Sequence, residues 1–151
     1  MNIQYPVETQ LILAVLDIDE FWKMSKSLEP QETFELLNSY FEMVGRLVSE
    51  TGGETIKVMG DAILIVYPAE HPRPTVGTLR NLVLRSQELL QEAGYARSVT
   101  LRAHIGKAYM GHLGPIHRKC LDVVGNSVNQ LFALSGRGFI LSPDLEQLME
   151  A

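Results

Sequence analysis

The chain alternates between continuous apolar runs and mixed segments whose apolar residues recur every three or four positions. Residues 11–18, LILAVLDI, stay apolar until an acid near the end, the pattern of a buried strand that delivers Asp17 to its carboxyl end. DEFWKMSKSLEP then predicts a loop and a short helix that stops before Pro30. From Pro30 to Glu50, Phe34, Leu37, Phe41, Val44 and Val48 recur at helical spacing. Pro30 suits the first position of that helix and Gly52-Gly53 its exit. GETIKVMGDAILIVYP predicts two short strands, 54–58 and 62–67, turned by Gly60-Asp61.

HPRP, residues 71–74, reads as a proline-punctuated loop ahead of a second amphipathic helix. That helix runs to about Ala93 on a stripe of Val76, Leu79, Val83, Leu89 and Leu90. Residues 99–113, VTLRAHIGKAYMGHL, predict two strands broken near Gly106, with LDVV part of another. GNSVNQLFAL predicts a short helix, GFILS a late strand and PDLEQLME a terminal helix. With no internal repeat, low-complexity segment or linker, this order implies one α+β domain over residues 1–151. Its helices are expected on one face of a mainly antiparallel sheet.

Charge and cysteine usage narrow the partners. The net charge of −5 argues against a nucleic-acid polymer, which usually meets a basic surface, but not against a single nucleotide bridged by metal ions. Cys120, the one cysteine, has no internal partner, so a reducing, cytoplasmic compartment is expected. No run of about 18 apolar residues is present to span a membrane, and MNIQYPVETQ lacks the features of a signal peptide.

Asp17 and Asp61 each sit where a strand gives way to a turn. Two strand-end acids on adjacent strands can share divalent cations, since Mg²⁺ prefers hard oxygen ligands and completes its shell with substrate phosphates. Acids at strand ends equally begin turns or cap helices. The histidines, His71, His104, His112 and His117, form no zinc spacing. His104 is expected to alternate out of a strand, Cys120 to be a packed small side chain, and Trp22 and Met24 to pack locally.

LAVLDIDEF, TGGETIKVMGDAILIVY, IGKAYMGHLG and LDVVGNSVN together resemble the class III adenylate and guanylate cyclase catalytic domain, in the family's order and over residues 11 to about 142. The resemblance implies a ferredoxin-like core shared with polymerase palm domains. It implies a metal set of Asp17, Asp61 and Ile18 holding two divalent cations, Mg²⁺ or Mn²⁺. Lys57 and Asp122 match the base-reading pair of adenylate cyclases, and Asn129 the asparagine that orients the ribose. An ammonium only donates and a carboxylate only accepts, so that pair suits adenine, and ATP is favoured over GTP. The implied reaction makes cyclic AMP and pyrophosphate between two protomers, in a homodimer or in a heterodimer with another cyclase domain. One protomer would supply Asp17 and Asp61, the other Lys57, Asp122 and Asn129.

The pattern also departs from the family. Ala133 stands where a transition-state arginine is expected, with Arg137 one helical turn later a candidate substitute. Glu20 and Trp22 replace the glycine and small hydroxyl residue that flank the phenylalanine of the metal loop. Asp19 and Glu20 either enlarge the metal site or form a solvated acidic turn. The family's last strands, with their triphosphate-binding lysine, are unmatched before Ala151, leaving Lys107, Arg118 and Lys119 as replacements by charge alone. The alternative function is therefore a catalytically impaired nucleotide-binding or dimerisation regulator. Diguanylate cyclases match less well, because DIDEF lacks their GG[DE]EF signature.

Overall fold

The computed structural model describes Met1 and residues 3–150; Asn2 and Ala151, inside the expected 1–151 domain, lie outside the described residues. In chain order the elements are β1 (Val7–Ile18), α1 (Phe21–Ser25), α2 (Pro30–Glu50), β2 (Glu54–Met59), β3 (Ala62–Pro68), α3 (Pro72–Glu92), β4 (Val99–Leu113), β5 (Cys120–Val124), α4 (Asn126–Ala133), β6 (Phe139–Leu141) and α5 (Pro143–Glu150). The sheet order is β2-β3-β1-β4-β5, with β6 running parallel alongside β4 and every other pairing antiparallel. The first six long elements thus form the βαββαβ core of a ferredoxin-like fold, as expected.

Strand β1 has neighbours on both edges and cover on both faces, and so it tolerates the unbroken apolar run Leu11 to Leu16. Ile12, Ala14 and Leu16 meet α2, α3 and α5 through Tyr40, Val44, Val48, Leu79, Leu82, Leu90 and Leu145. Leu11, Leu13 and Val15 face the other way, against Leu64, Val66, Ala108, Met110 and Val123. Helices α2, α3 and α5 share one face; α4 covers part of the second face through Leu131. Each fully buried aliphatic side chain contributes roughly 1.5–3 kcal/mol, so β1 anchors both halves of the core.

Four details differ from the sequence pattern. In α2 the buried row is Leu36, Tyr40, Val44 and Val48, while Phe34 is 72% exposed. The i, i+4 row that faces the sheet includes Tyr40, and a count of purely aliphatic and phenylalanine positions steps past it. Pro72 and Pro74 lie in the first turn of α3, where missing N–H groups cost nothing, rather than in a loop. His104 points inward, 4% exposed, bridging Ser142 Oγ at 2.7 Å and Gln130 Oε1 at 2.9 Å. Cys120, conversely, is exposed.

Gly106 does not break a strand. Residues 99–113 are one continuous β4, and Gly106 pairs with Leu11 in its middle. Its role is close approach. A Cβ at this position would lie 2.7 Å from Ser127 Cβ, and Ser127 Oγ donates to the Lys107 carbonyl at 2.7 Å, seating α4 on β4. Gly106→Ala is expected to cost about 1–3 kcal/mol by overpacking, read from urea denaturation. Adding Ser127→Gly removes the clashing atom, so the double variant should lose less than the sum of the two single changes.

Candidate functional site

The site grows from the point where β1 leaves the core. Asp17 sits on the face away from α2 and α3, opposite Thr100 of β4. The β2–β3 hairpin turns through Gly60 and Asp61, between the paired residues Met59 and Ala62. Gly60 has φ +65, the left-handed value that glycine adopts without penalty. That turn brings Asp61 Oδ2 to the Ile18 backbone N–H, which donates to it at 2.9 Å. Asp17, Ile18 and Asp61 are therefore neighbours.

Asp17 is half-enclosed, and burial pushes its carboxyl above the ordinary carboxylate range. The Arg102 guanidinium opposes that rise, while the Asp61 and Asp19 carboxylates add to it. Arg102 Nη1 donates to Asp17 Oδ2 at 3.2 Å and Nη2 to the Gly136 carbonyl at 2.7 Å. Sequence reasoning missed Arg102. The signal was a lone charge inside the apolar strand VTLRAHIG, a position where a charge is rare unless paired.

Asp19 and Glu20 form the turn between β1 and α1, where each carboxylate is met by protein partners. Asp19 accepts from the hydroxyls of Ser98 and Thr100, the latter at 2.6 Å. Glu20 has φ +53, the left-handed region that a glycine at this position would occupy freely. Its carboxylate meets Lys23 at 2.8 Å, Arg137 at 3.2 Å and Arg97 at 3.8 Å. Hydrogen bonds from Lys23 and Arg137 hold it below the usual carboxylate range.

Lys57 and Asp122 come together, Nζ to Oδ2 at 3.0 Å. Their strands, β2 and β5, stand at opposite ends of the sheet order, so the sheet curls until its edges meet. A register shift between Thr55 and Lys57 marks a bulge that bends the β2 arm. Asn129 is exposed on α4, next to the Gln130 that His104 holds. Helix α4 stops at Ala133, so Arg137 is not on it; Gly136 and Gly138, both at positive φ, flank this arginine in the bent connection to β6. Lys107 reaches Glu8 at 4.0 Å and Lys119 the Gly114 carbonyl at 3.0 Å, so neither engages Asp17 or Asp61. Arg118 lies in the β4–β5 connection. Trp22 is 59% exposed, with the Lys23 and Lys26 ammonium groups over its ring, while Met24 is buried as expected.

Among the described residues no group of three or more His, Cys, Asp or Glu side chains could hold a metal by itself. Two hard carboxylates with open coordination positions nonetheless fit an ion such as Mg²⁺, which keeps waters and takes substrate phosphates as ligands. No helix among the described residues is long and apolar enough to cross a membrane.

The sequence and the fold are each similar to those of known proteins. The sequence model of the adenylate and guanylate cyclase catalytic domain family matches residues 6–133. A curated adenylate cyclase of Anabaena cylindrica is 29% identical over 138 residues, covering 84% of this chain and 27% of that relative. The chain thus spans about a quarter of the length of that relative. The crystal structure of the guanylyl cyclase Cya2 superposes with a TM-score of 0.84 at 22% identity, over 94% of this chain and 79% of that one. The adenylyl cyclase CyaB from P. aeruginosa gives 0.85 at 19% identity, over 97% and 83%. At these identities both structures speak for the fold.

The raised Asp17 carboxyl has a direct consequence for stability. A folded-state pKa above the unfolded value means that protonated Asp17 favours the fold, an advantage lost as pH rises through the folded value. At neutral pH the ionised group is therefore a cost. Asp17→Asn is expected to raise Tm at pH 7, with the difference vanishing as pH falls below about 4. Thermal melts across that range check both the sign and the disappearance.

Proposed function

Because this chain belongs to the adenylate and guanylate cyclase catalytic domain family, we propose that it converts ATP to cyclic AMP and pyrophosphate at a site shared by two copies of the chain. The observation that carries the reading is the Ile18–Asp61 hydrogen bond. It joins a hairpin acid to the end of the central strand and sets Asp61 beside Asp17. In the proposed site Asp17, Asp61 and the backbone of Ile18 hold two divalent cations. When bound, those cations supply Lewis acidity to the ribose 3′-hydroxyl and neutralise phosphate charge.

The reaction joins the 3′-oxygen to the α-phosphorus and breaks the bond from that phosphorus to the bridging oxygen of the departing pyrophosphate; the hydroxyl proton leaves to solvent. Arg102 supports the phosphate side of the site, its guanidinium already within reach of Asp17. Lys57 donates to the adenine ring nitrogen and Asp122 accepts from its exocyclic amine. Without a base the two satisfy each other, so their readout geometry is held in advance. Asn129, exposed on α4, orients the ribose of the nucleotide bound by the opposite protomer. Two-fold symmetry then yields two equivalent sites per dimer. The name of the Anabaena cylindrica relative, an adenylate cyclase, agrees with ATP as substrate.

Ala133 favours a second reading. It is exposed at the last turn of α4, where the family's arginine is expected, and alanine neutralises no charge on a transferring phosphoryl group. A protein that binds nucleotide and dimerises without turning over would serve as a regulator.

The purified chain, assayed with ATP or GTP and Mg²⁺ or Mn²⁺ over a range of protein concentrations, separates the readings. Cyclic AMP formation should rise faster than linearly with protein and fall by at least about 10²-fold in Asp61→Ala. Metal-dependent ATP binding without product would establish the regulator instead. Neither product nor binding, at concentrations where the chain dimerises, would overturn both.

A further inference from the structure

Three cations from three separate segments converge on one carboxylate beside the acids just described. Lys23 comes from α1, Arg97 from the connection before β4, and Arg137 from the connection before β6; all three meet Glu20, at 2.8, 3.8 and 3.2 Å. Asp17 is paired with Arg102, and both oxygens of Asp19 are taken by the hydroxyls of Ser98 and Thr100. Among the described residues, Glu20 is the one carboxylate that all three cations contact. Lys23 and Arg137 are open to solvent, with half or more of each side chain exposed.

The segment bearing Arg137 is tied down on both sides. Arg102 donates to the Gly136 carbonyl at 2.7 Å, and the Gly138 N–H donates to Thr100 Oγ1 at 3.1 Å. Arg137 is thereby held next to the strand that faces Asp17, although it lies outside α4. Glu20 itself adopts the left-handed backbone conformation that residues with a Cβ rarely take. A strained residue carrying one negative charge into a cluster of three cations has the form of an internal ligand.

We infer that Lys23, Arg97 and Arg137 form a polyphosphate subsite in which the Glu20 carboxylate is a built-in competitor. The subsite takes the pyrophosphate end of a nucleoside triphosphate, and holds pyrophosphate after the bond to the α-phosphorus has broken. The assignment to a nucleotide rests on the proposed cyclase reading; the anion chemistry does not. Binding swings Glu20 away and exchanges one carboxylate charge for several phosphate charges, each within reach of a guanidinium or ammonium donor. It also supplies positive charge to the phosphates in a chain that has Ala133 at the usual arginine position.

The test is calorimetric titration with inorganic pyrophosphate in the presence of a chelator, so that bridging metals are excluded. Glu20→Gln should tighten binding by roughly threefold to tenfold, because the competitor is removed while its shape is kept. Arg137→Ala or Arg97→Ala on that background should abolish the gain, and added salt should weaken it. Circular dichroism confirms that each variant is folded. No tightening in Glu20→Gln, or a gain that survives loss of Arg137, overturns the subsite. Magnesium-dependent ATP binding lost in Asp61→Asn, but with no Glu20→Gln gain, overturns the subsite and leaves the cyclase reading standing. A Glu20→Gln gain in a chain that shows no magnesium-dependent ATP binding supports the anion subsite and overturns the nucleotide assignment.

Discussion

Everything in this molecule is arranged around a strand that admits no charge until its last residues. From Leu11 to Leu16, β1 is covered on both faces and bonded along both edges, so each position must be apolar. The cover ends abruptly. One residue beyond Leu16 an acid stands at the rim of the core, half out of water. The low-dielectric flank that makes Asp17 costly as an anion also strengthens its attraction to any cation brought near it. Core and site are thus one construction, and the same burial that stabilises the fold polarises the acid.

The surroundings of Asp17 show how the chain contains that cost. Arg102 neutralises the acid while also fixing Gly136, and the hydroxyls of Ser98 and Thr100 satisfy Asp19. Lys57 and Asp122 satisfy each other across the two ends of the sheet order. Glu20 engages three cations. Each of these groups is met by a partner of opposite sign or by hydroxyls, so in the proposed site a polar ligand would enter by exchange. Such exchange suits a phosphate-rich molecule, which brings more charge than the carboxylates it displaces.

Helix α4 is the second place where packing and chemistry meet. It lies against β4 because Gly106 has no side chain, Ser127 bonds the strand beneath, and His104 reaches up to Gln130. Asn129 inherits its position from those three contacts. None involves Asn129 directly, so the place of this exposed side chain is set by contacts that Ser127 and Gln130 make on the same helix.

Much was legible in the residue order alone. The two long helices, the central strand, the hairpin through Gly60-Asp61, the fold class and the family all follow from local periodicity and from motifs of a few adjacent residues. For these the controlling forces act within a turn of helix or along one strand. Sequence reasoning failed where the deciding partner is far away in the chain. Gly106 looked like a strand break because Ser127, which needs its missing side chain, is not a sequence neighbour. His104 looked exposed until Ser142 and Gln130 closed over it. Arg102, silent in the pattern, matters because the β1–β4 register sets it two positions along from Asp17. The sequence by itself determined the fold class and the family, because periodicity and short motifs act between near neighbours in the chain. Which charges neutralise which was decided only by the curled sheet, because Coulomb attraction depends on distance in space, and folding makes neighbours of residues 65 to 117 positions apart.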